Sequence, residues 1–457
     1  MNRIKNTLAI DADRWVLLQK KMVPIANFMK EIETFQYVES ASAAVQVSVI
    51  LPIFNIAEYL VAFLDCICKQ DLRDIEIICV DDNSTDESLQ IIEFYALLDA
   101  RIKIVRHKQN RNAGAARNSG LKIAQGKYLY FADPDDQCER DLLSTAVANA
   151  EKYNSDIVFF AADKIERESG KFLGMIDCSN EIKYAPIPFS RKDFPERILC
   201  ISTPAPWNKL FRHSFIEKEG LQFQELRNAN DLYFTNSAFA LAERISYCSE
   251  RPLYHYFFSK NGLQGTKGKN PLCVLEALRK LRKSMEEKGM LQEMYRALQQ
   301  RGLATVIAYE LLRTPPAGEG YVQIYKECHE SFITEYGLDH IENLAPEIQK
   351  KYSETIQNIL FYSHPVDFLN HRLLTASEEK TVKIIKEDKL IYLRDDSYKD
   401  LYFQMLNSRS WKYGRMITFF PRKLRGGVRC FRTYGLRYTL RKCLIVFKDI
   451  FKRVLHR

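Results

Sequence analysis

Among 457 residues no apolar run reaches the roughly 20 that span a bilayer, the closest candidates being broken by Glu58, Asp65 or Lys448. A transmembrane helix is therefore not expected. The first 44 residues mix charged and apolar positions throughout, without the apolar stretch or small-residue cleavage site of a secretory signal. Cysteine pairing is missing too: the 11 cysteines are odd in number, scattered and free of CxxC spacing, and Cys66 and Cys68 stand too isolated for zinc. Together these absences predict a cytosolic protein. Internal repeats and low-complexity tracts are also lacking.

Acidic residues are nearly absent from one end. Residues 401–457 hold 15 Lys and Arg against Asp449 alone, a charge of +14; since the whole chain carries +9, the preceding 400 residues carry −5. Hydrophobic residues make up 46%, ordinary for a soluble globular protein, and the length suits two or more domains.

Residues 1–44 place Ile10, Trp15, Leu17, Leu18, Met22, Ile25, Phe28, Met29 and Ile32 near helical spacing, interrupted at Pro24, and predict an accessory helical extension. From Val45 short strands (45–54, 75–82, 102–107, 127–132) alternate with helices (58–69, 86–98, 113–124). That order is the pattern of an α/β fold with a doubly wound, mainly parallel sheet. In such sheets ligands bind at the carboxyl ends of strands, where Asp81, Asp82 and Asp133 fall. A helix at 140–153 and a strand at 156–161 continue the domain, and a proline-rich stretch leads to PWNKLFRHSFI at 206–216. A helix is expected over 231–245, opened by Asn230 or Asp231. Strands follow at ISYCS and LYHYFF, then a mobile loop at 259–270. Residues 272–313 and 321–390 read as mainly helical, with breaks at Pro315, Pro316 and Gly318. The expected divisions are a helical extension (1–44), a nucleotide-binding domain (45–265), a helical accessory domain (266–400) and a basic amphipathic segment (401–457).

Three motifs carry the chemistry. FADPDD at 131–136 ends the strand-like KYLYFA in three carboxylates, either as a solvated turn or as a site for a hard divalent cation, Mg²⁺ or Mn²⁺, which would relieve their repulsion. Asp81 to Asp86, DDNSTD, supplies acceptors for a base edge or ribose, or a plain helix cap. NRNAGAARNSG at 110–120 combines small residues, Gly114, Ala115 and Ala116, with the guanidinium of Arg117, suited to phosphate or ribose oxygens or to tight helix–sheet packing. All three at strand ends of one sheet argue against a joint accident.

With VSVILPIFN (47–55), VDDNSTDES (80–88), NAGAARNSGL (112–121), YFADPDD (130–136), PWNKLF (206–211), NDLYF (230–234) and PLYHYF (252–257) in order, residues 46–265 resemble the catalytic domain of glycosyltransferase family 2, of GT-A fold. The resemblance implies an inverting, metal-dependent transfer from a nucleoside diphosphate sugar, usually a UDP-sugar, with Mn²⁺ or Mg²⁺ as cofactor. It implies that Pro52 and Asn55 line the base end, that Asp82, beside Asp81, contacts uracil, and that Arg117 and Asn118 lie near ribose and diphosphate. Asp133 and Asp135 take the DxD positions, Asp135 as direct metal ligand with Asp136 adjacent, and Asp231 is the base. Lys209 becomes a diphosphate contact or a packed residue, and Trp207 a stacking platform for an acceptor sugar or a core residue. Three departures stand out: Asn230 where Glu is common, Pro134 inside the acidic motif, and Phe257 where Arg or His is frequent, a contact that Lys260 or another lysine of the 259–270 loop could replace. His213 and His255 read as structural.

In the basic segment Leu440, Leu444, Phe447, Phe451, Val454 and Leu455 share one helical face, flanked mostly by Arg and Lys. That suits an anionic membrane surface, or a hairpin packed on the acidic body; no nucleic-acid module accompanies it. The expected role is a peripheral enzyme on the inner face of the cell membrane, acting on a glycan or lipid-linked glycan acceptor. The rivals are a nucleotidyltransferase and a non-catalytic nucleotide-sugar-binding scaffold.

Overall fold

The sheet is built from segments too apolar to face water. In chain order the strands are β1 (Val47–Ile53), β2 (Ile75–Asp81), β3 (Ile102–Arg106), β4 (Tyr128–Phe131), β5 (Gln137–Cys138), β6 (Ile157–Phe159), β7 (Ala162–Glu166), β8 (Phe172–Ile176), β9 (Lys209–Arg212), β10 (Ile245–Tyr247) and β11 (Tyr254–Phe258). The computed structural model describes residues 44–371 apart from 179–181, 183–184, 249–250, 260–269, 314–317, 366 and 370. The readings placed on 1–43, on 260–269 with Lys260, and on 401–457 lie outside the described residues.

Seven strands form the central sheet in the order β10-β6-β9-β4-β1-β2-β3. All neighbours are parallel except β9, which runs antiparallel between β4 and β6. The mainly parallel sheet expected from the sequence is thus present. Strand order reverses at β1, with β2 on one side and β4 on the other, so the carboxyl ends of these three strands open onto one crevice. A second, smaller sheet, β5-β11-β7-β8, stands beside the segment that leaves β4.

Every residue of β2 is buried, as expected of a central parallel strand covered on both faces. Its one charge in mid-strand, Glu76, is fully bonded: Ser48 Oγ lies 2.5 Å from one oxygen, the Gln125 amide donates to the same oxygen at 2.6 Å, and Lys103 Nζ reaches the other at 2.6 Å. Burial pushes its carboxyl up, but these donors outweigh it and hold the carboxyl below its usual range.

Alternation along the strands sorts side chains into two layers. Val47, Val49, Leu51, Ile75, Ile77 and Tyr130 pack with helices α1 (Ala57–Cys68), α2 (Ser88–Leu98) and, later in the chain, Leu142–Tyr153. Ile50, Ile78, Val80, Leu129 and Phe131 face the other way, against α3 (Asn112–Leu121). The helix Leu142–Tyr153 is α4, followed by α5 (His213–Glu219) and α6 (Asn230–Leu241). The second layer continues without interruption into α7 (Cys273–Glu287) and α8 (Leu291–Gly302), so these helices share its core. The helix expected over 272–313 is broken near Gly289, whose φ of +68° closes α7, and after α8 it widens into a π-helical stretch, Leu303–Arg313. Gly318, expected as a break, begins the helix Gly318–Glu327.

Phe131 anchors the second layer, its ring 4.9 Å from Phe223, 5.5 Å from Phe234 and 5.9 Å from Phe211. Replacing it with Ala should destabilise the fold by about 3–5 kcal/mol, read from urea denaturation.

Candidate active site

At the end of β1 the chain turns through Asn55, whose φ is +52°, a conformation asparagine tolerates. Its side-chain oxygen accepts from the Thr85 amide at 2.8 Å, while its own amide donates to Ser84 Oγ. Asp86 and Ser88 accept from the amides of Ala57 and Ile56, so the DDNSTD loop caps α1 from outside. Pro52, half-buried, is paired with Val80 just before that loop.

The two aspartates at the end of β2 have different occupations. Asp82, expected at the base, is fully engaged: His107 Nδ1 lies 2.6 Å from one oxygen and the Arg111 amide reaches both, at 2.9 and 3.0 Å. His107 in turn meets Ser119 Oγ at 2.8 Å. Asp81 receives only the Ser84 amide on Oδ1; its Oδ2 is buried with no hydrogen bond, and Arg106 Nε stands 3.7 Å away. The unbonded acceptor is therefore on Asp81, whose side chain is wholly buried, while Asp82 is bonded to His107 and the Arg111 amide.

The acidic run leaves β4 with its three carboxylates in three settings. Asp133 is paired with Arg117 at 2.6 Å. Asp135 is met by Arg167, whose Nη2 donates to its backbone oxygen at 2.5 Å and lies 3.3 Å from its carboxylate. Nearly half of the Asp135 side chain is accessible, yet it stands in a crowded cleft. Crowding and the neighbouring charge of Asp133 push its carboxyl up to about 6. Asp136 is buried and bonded at both oxygens, to Tyr254 OH and the Phe257 amide, each at 2.8 Å. Burial, then Asp135 and Asp133, hold its carboxyl well above the usual range. Asp136, expected beside the metal, ties the run to β11 through these two bonds.

Among the described residues no group of three or more His, Cys, Asp or Glu is arranged to enclose a metal ion. Asp133 and Asp135 nonetheless fit a shared site, because Mg²⁺ or Mn²⁺ takes one or two carboxylates and completes its shell with phosphate oxygens and water.

α3 brings its guanidinium to this point. A Cβ on Gly114 would stand 2.0 Å from the Gln224 carbonyl, so the glycine permits α3 to lie against the segment before α6. Arg117, buried and 5.3 Å above the Phe223 ring, then reaches in two directions, to Asp133 and, at 2.8 Å, to Asn230 Oδ1. Asp231 follows in the first turn of α6, whose cap position is Ala229. Asn118, expected near the ribose, spends both ends of its amide on the Phe223 backbone at 2.9 Å and pins the same segment.

Lys209, expected at the diphosphate, is wholly buried, and its ammonium is held by Thr203 O, Ala205 O and Asn208 Oδ1 at 2.6–2.9 Å. Burial and the repulsion of Arg301 push it well below its ordinary value, against the attraction of Asp231. Trp207 is likewise in the core, stacked on Tyr254 at 4.8 Å and Tyr256 at 5.6 Å. His213 meets the Gly126 carbonyl and His255 lies between Asp163 and Glu139.

The motifs did not reveal Arg167, His107, Tyr254 and Arg301 as site residues. Tyr254 lies within PLYHYF, and its place opposite Cys138 in β5 could have suggested contact with the acidic run. Arg167 sits in a polar hairpin 32 residues from Asp135, with no motif around it.

Residues 48–220 match the family model described as Glycosyl transferase family 2. EpsJ of Bacillus subtilis, named as an uncharacterized glycosyltransferase, is 32% identical over 48% of this chain and 62% of its own length. TarS of Staphylococcus aureus, named as a poly(ribitol-phosphate) beta-N-acetylglucosaminyltransferase, is 30% identical over 46% of this chain and 35% of its length. The chain spans about three fifths of the length of EpsJ and of a second relative, EpsH. The structure of S. aureus TarS 1–349 in complex with UDP-GlcNAc superposes with a TM-score of 0.53 over 69% of this chain and 90% of that one, at 22% identity, which establishes a shared fold.

A carboxyl group raised to about 6 in the folded chain favours the fold while protonated. Without divalent ions, that contribution is complete below about pH 4 and is lost as pH rises through about 6. The Asp135→Asn variant should therefore gain stability relative to wild type between pH 4 and 7, measured by denaturant unfolding at each pH.

Proposed function

Residues 48–220 form a glycosyltransferase family 2 domain, and from that premise we propose that this protein transfers a sugar, with inversion, from a nucleoside diphosphate sugar to a glycan or lipid-linked glycan. The observation that carries the proposal is the fork of Arg117, which ties the acidic run at Asp133 to Asn230, the residue before Asp231. One guanidinium thereby sets the groups for the two ends of the breaking and forming bonds at a fixed separation.

In this mechanism the base of the donor lies over the β1–β2 ends, against Pro52 and Asn55, with the unbonded oxygen of Asp81 as acceptor for a ring N–H; a UDP-sugar suits that arrangement. Asp231 takes the proton of the acceptor hydroxyl as its oxygen attacks the anomeric carbon from the face opposite the diphosphate. The charge of Asp231 acts on two buried basic side chains, Lys209 and Arg301. Asp133 and Asp135 would hold the metal. Bound there, Mn²⁺ or Mg²⁺ would neutralise charge on the departing diphosphate as a Lewis acid. Asn230 accepts from Arg117 as a carboxylate would, but adds no charge beside Asp231.

No helix among the described residues is long and apolar enough to cross a membrane. On this reading the basic segment 401–457 holds the enzyme on the anionic inner surface of the cell membrane, where a lipid-linked acceptor is found.

Nucleoside diphosphate release from a panel of nucleotide sugars with Mn²⁺ tests the proposal. Wild type should release it slowly, Asp231→Asn should lower the rate by about 10²-fold or more, and Asp135→Ala should weaken donor binding at fixed Mn²⁺. Donor binding without turnover on any acceptor would favour the scaffold reading instead.

A further inference from the structure

The acidic run has a second arginine that no motif announces. Arg167 follows β7, and its amide donates to the Phe258 carbonyl, extending the pairing of β7 with β11. From there the side chain crosses to the acidic run. Its Nη2 serves three oxygens: Asp135 O, Asp135 Oδ2 and, at 3.1 Å, Phe257 O; Asp136 Oδ1 is 3.9 Å away. The guanidinium also lies 4.2 Å over the ring of Tyr59, in the first turn of α1, and 5.3 Å from the Phe257 ring. It therefore stands between the loop that follows β1 and the carboxylates that follow β4.

Two features separate this arginine from an ordinary surface partner. It is only 16% exposed, held flat by one aromatic ring and tethered by two backbone carbonyls, so its position is set before any ligand arrives. Yet all its hydrogen bonds among the described residues use Nη2. Of its five N–H groups, those on Nε and Nη1 have no acceptor there. A fixed fork with unused donors at the edge of a nucleotide crevice is a receptor for a multiply charged oxyanion.

We propose that Arg167 is a diphosphate-binding residue of this site, contacting the terminal phosphate of a nucleoside diphosphate; this rests on the nucleotide-sugar reading above. Charge balance supports the assignment. Among the described residues the acidic run has two arginine partners: Arg117 is paired at 2.6 Å with Asp133, whereas Arg167 meets Asp135 at 3.3 Å and Asp136 only at 3.9 Å, so Arg167 is the less committed of the two toward an incoming diphosphate. The contact with the Asp135 carboxylate is long, at 3.3 Å, whereas the backbone contact is short. The Asp135 carboxylate can thus be given up to the metal while Nη2 stays on the backbone carbonyls and the free Nε and Nη1 donors meet phosphate. On departure of the sugar the same contact takes up charge developing on the leaving group.

The test compares UDP with UMP, and GDP with GMP, by calorimetry with Mn²⁺ on the full chain, for wild type, Arg167→Gln and Arg167→Lys, with thermal melts to confirm folding. Wild type should bind the better diphosphate more tightly than its monophosphate. Arg167→Gln should weaken diphosphate binding about 10- to 100-fold with monophosphate binding within about twofold, and Arg167→Lys, which keeps charge without the fork, should fall between. Equal losses for both nucleotides, in either variant, would make Arg167 a structural clamp and overturn the inference while leaving the nucleotide site intact. Wild-type discrimination retained in the variants would overturn it as well. Failure of wild type to bind any of the four nucleotides would overturn the nucleotide-sugar reading and this inference with it.

Discussion

Three carboxylates within four residues repel one another, and the architecture around the crevice is organised by how that repulsion is contained. Asp136 is taken out of contention by burial, a tyrosine hydroxyl and a backbone amide. Asp133 and Asp135 each receive an arginine, one from α3 and one from the β7–β8 hairpin. One partner comes from a helix packed on the central sheet and the other from the second sheet's hairpin, so satisfying the charges also ties the second sheet to the first. The cost of leaving one of them unpaired makes the site and the fold mutually dependent.

The central sheet was legible because apolar strands and intervening helices repeat with a clear period, and its three motifs follow the carboxyl ends of β2, β3 and β4. What was not legible is the antiparallel insertion of β9, which depends on a long excursion through 160–208, and the short strands β5, β7 and β8, whose half-polar sequences carry little pattern. Motif matching placed Arg117 and the acidic run together correctly. It could not show how each polar member is bonded within the fold: Asp82, Asn118 and Lys209 are as polar as their neighbours, and only the positions of His107, Phe223 and the 203–208 turn reveal their partners. Proline at 134 fits a turn whose shape is set by Asp136 and Tyr254.

The helices after residue 272 bear on the site through packing. α7 and α8 complete the layer behind α6, and Arg301 reaches from α8 to the Ser202 carbonyl beside the turn that Lys209 holds. Arg301 on α8 and Lys209 on β9 both feel the charge of Asp231. An element remote in sequence thus contributes to the electrostatic surroundings of the residue proposed as base.

Glu76, the bonded carboxylate in the middle of β2, reaches Ser48 on β1 and Lys103 on β3 at once. A shift of either neighbour by one residue would turn its partner to the opposite face and leave an ion among isoleucines. Correct alignment is thereby selected during assembly: the chain can join these strands productively in one way, the way that brings Ile53 level with Asp81. The crevice inherits its floor from a proofreading contact buried well below it.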